Sequence, residues 1–78
     1  MIHQYKLGGL NIVIDVNSGA VHVVDEVAYD VISMYKDHSE EDIISTLSTT
    51  YASDGVTRED IAECIADVRA LESDGKLF

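Results

Sequence analysis

The sequence predicts an α+β domain: a three-stranded antiparallel sheet followed by three helices. Three observations carry this reading. Residues 2–24 hold short runs of β-branched and aromatic residues separated by glycine turns. From Asp25 onward, apolar residues recur at helical spacing behind capping residues. And 78 residues, 46 % of them hydrophobic, bound the chain to one domain, expected to span 1–78.

The elements follow in order. Ile2–Leu7 is a strand closed by Gly8-Gly9, a hairpin signal. Over residues 10–16, Leu10, Ile12, Ile14 and Val16 share one face and Asn11, Val13 and Asp15 the other, as in a half-buried strand. Asn17-Ser18-Gly19 is a turn with Gly19 suited to positive φ. Ala20–Val24 is the third strand. Asp25 caps a first helix with Val27, Ala28, Val31, Ile32 and Tyr35 as its stripe. Ser39 caps a second, with Ile43, Ile44, Leu47 and Tyr51. Thr57 caps a third, where Asp60 approximates a capping box and Val56 can staple onto Ile61. This helix ends near Ser73 or Asp74, with Gly75 as its stop. Its core face is Ile61, Cys64, Ile65, Val68 and Leu71. The chain closes on Lys76-Leu77-Phe78, which reads as a cut from a longer polypeptide.

Charge divides the chain at the same point. Residues 1–24 hold one Lys and one Asp; residues 25–78 hold 14 acids and 4 bases, the whole net charge of −10. A winged-helix DNA binder has similar elements, but its recognition helix is basic. Residues 57–74 carry two Arg against six acids, so nucleic acid is excluded as a partner. The balance favours a basic partner or simple solubility. No apolar run reaches 18 residues and no signal peptide opens the chain, so no membrane is expected. One Cys excludes a disulfide framework, and a small domain without such staples suits a reducing, cytoplasmic compartment.

Catalytic chemistry is hard to find. Cys64 with His3, His22 or His38 as base would make a nucleophile, but its helical spacing with Ile61, Ile65 and Val68 marks an inert, buried thiol. The histidines lack metal-ligand spacing. No catalysis, metal or cofactor is therefore expected in this chain. What remains is surface. Ala62, Ala66 and Arg69 form a second stripe on the third helix. Its alanines either leave a shallow groove or merely favour the helix. Ala20–Val24 should be an edge strand without the Lys or Pro that often guards one. Either another element of the domain covers it or a partner peptide adds to it.

The element order resembles the precursor-peptide recognition domain of enzymes that make ribosomal peptide natural products, the PqqD-like winged-helix fold. Locally, Met1–Gly9, Asn11–Asp15 and Ser18–Asp25 are similar to the start of the radical S-adenosylmethionine maturases of SCIFF peptides. Those enzymes install sulfur-to-α-carbon thioether links, the sactipeptide chemistry, in six-cysteine precursors. The resemblance is strong over residues 1–36 and compatible over the rest.

The resemblance implies a non-catalytic domain that binds the Lys-rich leader of a Cys-rich precursor. The leader would lie as an added strand beside Ala20, Val21, His22, Val23 and Val24, in the cleft with the third helix. There Ala62 and Ala66 would be a floor, Ile65 a further contact, Arg69 a polar clamp, and Glu63 and Asp67 partners for leader lysines. The resemblance also implies a linked radical S-adenosylmethionine catalytic domain. Any 4Fe-4S clusters and S-adenosylmethionine would belong to that parent enzyme. The alternative is a structural or dimerisation module that pairs through the same strand edge.

Overall fold

The computed structural model describes residues 2–78; Met1, the first residue of the N-terminal segment compared above, lies outside them. Three strands, β1 (Ile2–Leu7), β2 (Leu10–Asp15) and β3 (Ala20–Val24), precede α1 (Glu26–Met34), α2 (Glu40–Thr50), a short 3-10 turn (Ala52–Asp54) and α3 (Arg58–Ser73). The sheet is an antiparallel meander in the order β1-β2-β3. Gly8 and Gly9 take φ of 56° and 83°, as a two-residue hairpin turn demands. Val16 joins the second turn instead of β2, so that connection has four residues, ending on Gly19 at φ 75°. Its amide donates to the Asp15 carbonyl at 2.8 Å.

The expected helix caps are present. Asp25 Oδ1 accepts from the Ala28 amide at 2.8 Å, and Ser39 Oγ from the Asp42 amide at 3.2 Å. Thr57 and Asp60 form the full capping box: Thr57 Oγ1 accepts from the Asp60 amide and Asp60 Oδ2 from the Thr57 amide. After Gly75 the Lys76 amide donates to the Leu71 carbonyl, the long bond of a Schellman stop.

The core gathers one face of each element: Val13 from β2, Val31 and Ile32 from α1, Ile43 and Leu47 from α2, and Ile61, Ile65 and Val68 from α3. The buried side of β2 is the more polar one, Asn11, Val13 and Asp15. Asp15 is tolerated there because its carboxylate accepts from the Asn17 amide at 3.1 Å and the Ser18 hydroxyl at 3.0 Å, closing the turn. The apolar alternates Leu10, Ile12 and Ile14 therefore face away from the helices. Cys64 and Leu71, expected in the core, sit half-buried at its margin.

The C-terminal residues complete the packing. Leu77 is fully buried in the core, and Phe78 stacks on Tyr35 with ring centroids 5.1 Å apart. Tyr35 Oη donates to Glu72 at 2.9 Å, and Lys36 Nζ pairs with the other Glu72 oxygen at 2.6 Å, tying the end of α1 to α3.

Two predictions follow from this packing. Leu77→Ala should destabilise the domain by about 2–5 kcal/mol, the cost of a core truncation. Urea unfolding would show this as a lower midpoint. The Lys36 ammonium, then the Tyr35 hydroxyl, hold the Glu72 carboxyl below its ordinary value of 4.5. Its contribution is present above that pH and fades as pH falls through the lowered value. Glu72→Gln should therefore lose less thermal stability than the parent between pH 5 and pH 3, by melting curves.

Candidate functional site

β3 is an edge strand. Among the described residues, β2 is the only strand paired with it, in the register Val24 to Asn11, His22 to Val13 and Ala20 to Asp15. Its opposite side keeps the N–H and C=O groups of alternate residues free for another strand. The other edge, β1, differs. Lys6 sits on it and turns inward, its ammonium 2.7 Å from Glu26 and over the Tyr29 ring. An inward-turned charge is one of the devices that protect an edge. β3 has no such device.

The two faces of β3 do different things. Val21 and Val23 point away from the helices and are 63 % and 62 % exposed. Ala20, His22 and Val24 lie on the helical side and are half-buried. His22 Nε2 lies 2.9 Å from the Lys76 carbonyl. A carbonyl only accepts, so Nε2 carries the proton in this contact and anchors the C-terminal segment to the strand.

At Val24 the strand meets a cleft of about 320 Å³ between α1 and α3. Its floor is apolar: Val24, Ala28, Ile32, Cys64, Val68 and Leu71. Its rim holds four carboxylates, Asp25, Asp60, Glu63 and Asp67. Asp25 and Asp60 are placed by their capping roles, so the starts of α1 and α3 aim two of the four acids at the opening. Among the described residues the ion pairs are Lys6–Glu26, Lys36–Glu72 and Arg69–Glu40. None of them neutralises a rim carboxylate.

Cys64 registers this environment. Burial first, then the charges of Asp25 and Asp67, push its thiol up to about 11. It is protonated at neutral pH, the opposite of an activated nucleophile. Among the described residues no three His, Cys, Asp or Glu side chains are grouped to hold a metal ion. The cleft can seat an apolar side chain and hold a cation at its rim.

The expected contact residues divide. Glu63 and Asp67 reach the cleft, and Val24 lines its end. Ile65 does not: it is 1 % exposed, packed in the core at the base of a second pocket beside Arg69. Ala62, Ala66 and Arg69 do not line the cleft either. The Arg69 guanidinium donates to Glu40 of α2 at 3.1 Å, across a separate pocket bounded by Tyr35, Lys36, His38 and Ile43. A helix core face has two flanks, and the small-residue stripe occupies the one toward α2. The flank toward β3 is Asp60, Cys64, Asp67 and Leu71, at spacings of four, three and four. That run was visible in the sequence, with Cys64 and Leu71 assigned to the core.

Modification of Cys64 checks this geometry. Alkylation by iodoacetamide at pH 7.5 should be about a hundredfold slower than for an exposed thiol with its ordinary value of 9.0. A rate matching free cysteine would mean that the thiol is neither buried nor surrounded by negative charge.

A family model described as Coenzyme PQQ synthesis protein D (PqqD) matches residues 11–72, from β2 through nearly all of α3. No curated protein matches the sequence.

Proposed function

The chain belongs to the PqqD family, and from that premise we propose that it binds the leader segment of a ribosomally synthesised precursor peptide. The leader adds as a fourth strand on β3. Main-chain bonds to the free edge supply register-independent affinity, and alternate side chains supply selectivity. Those that point toward the helices enter the cleft. An apolar side chain there meets Cys64, Val68 and Leu71, and basic neighbours meet Asp25, Asp60, Glu63 and Asp67. The observation that carries this reading is the adjacency of an unguarded edge strand and a cleft whose four rim carboxylates have no cationic partner among the described residues.

The fit to a Lys-rich leader follows from the same charges. In the finer form of the proposal, the leader belongs to a six-cysteine precursor, and the domain delivers it to a linked radical S-adenosylmethionine domain that forms the thioether links. Tethering raises the local concentration of the precursor at that domain. Iron–sulfur clusters need several cysteine thiolates. With one cysteine, protonated at neutral pH, this chain does not fit such a group, and its own part is recognition alone.

Calorimetry with a Lys-rich leader peptide tests the assignment. Glu63→Lys with Asp67→Lys should weaken binding roughly tenfold, since each exposed pair is worth about 0.2–1 kcal/mol and reversal also adds repulsion. Ala66→Leu and Arg69→Ala should leave affinity unchanged. Proline at His22 or Val23, whichever directs its N–H to the free edge, should abolish strand addition with the fold retained. Full affinity in both the charge-reversed and the proline variants would refute the site.

A further inference from the structure

The sheet's outer face lies on the side away from the helices and the cleft. Leu7, Leu10, Val21 and Val23 are 50–64 % exposed there, and Tyr5 is 43 % exposed. The register aligns them in rows across the strands: Tyr5 with Ile12 and Val23, and Leu7 with Leu10. His3, opposite Ile14, is the polar member at one end. No Asp, Glu, Lys or Arg falls on this face among the described residues, although the chain holds 20 such residues, 5 basic and 15 acidic. Lys6 and Asp15, the two charges within the strands, both turn to the helical side.

We propose that this face is the contact between two copies of the chain, stacked sheet on sheet as in a β-sandwich. Charge and area support a second copy as the occupant. Two molecules of net charge −10 repel each other. In this arrangement, however, the acidic helices lie on the two outer sides, and the surfaces that meet are uncharged. With five large apolar residues 43–64 % exposed, the patch is on the order of 600 Å², the upper end for a lone domain. Two such faces stacked about 10 Å apart would bury roughly 1,200 Å², the lower end for a specific interface. Both β3 edges stay open at the sides of the stack, so each copy can still take a leader.

Sedimentation equilibrium of the 78-residue chain at about 0.3 M salt, where screening extends only ~6 Å, tests this. The proposal expects a concentration-dependent dimer. Leu10→Lys and, separately, Tyr5→Lys should each give a monomer with unchanged circular dichroism and unchanged affinity for the leader peptide. The β3 edge proline should remain dimeric. A monomer at every concentration would overturn the proposal, whether the face stays bare or a different protein covers it. So would a dimer that survives both lysine variants, or one that only the edge proline dissolves, since that contact would run strand to strand. Leader binding is measured separately, so its failure is distinguishable from failure of the dimer.

Discussion

An edge strand leaves backbone N–H and C=O groups without a partner in its own sheet, and the rest of this structure is arranged around one such strand. A meander of three strands must have two edges. Here β1 is guarded by the inward-turned Lys6 and its Glu26 partner. β3 is open, and its last residue, Val24, borders the cleft that α3 forms with α1. The helix that gives the domain its stability thereby forms one wall of the cleft.

Electrostatics narrow what that cleft can accept. Two of the rim acids, Asp25 and Asp60, are needed to start α1 and α3, so folding itself fixes negative charge at the opening. Glu63 and Asp67 extend it along α3. With the ion pairs among the described residues formed elsewhere, the rim carboxylates remain available to an incoming cation. The raised Cys64 thiol is a consequence of the same burial and the same charges, and it fits a contact surface better than a reacting group.

Much of the fold was legible because local signals agreed: glycine turns, three side-chain caps and helical stripes all pointed to the same element order. The edge position of β3 was legible too, since sequential strands in a meander leave the third outside, although whether the domain covers that edge was left open. Two features were not. Period-two alternation in β2 sorts residues into faces without saying which is buried, and the polar set went inside because Asp15 finds its partners in its own turn. Likewise, helical spacing defines a core face on α3 with a flank on each side. Which flank lines the cleft beside Val24 depends on how α1 and α2 seat the helix, a long-range property that no local pattern carries. The stripe of Ala62, Ala66 and Arg69 fell to the α2 side, where Arg69 pairs with Glu40.

An amide NMR titration with the Lys-rich leader peptide tests the central claim most directly. Strand addition predicts shifts concentrated on Ala20–Val24 and on Asp60, Glu63, Cys64, Asp67 and Leu71, with the amides of Ala62, Ala66 and Arg69 little changed. Shifts centred on the α2 flank, or none at high peptide excess, would contradict it.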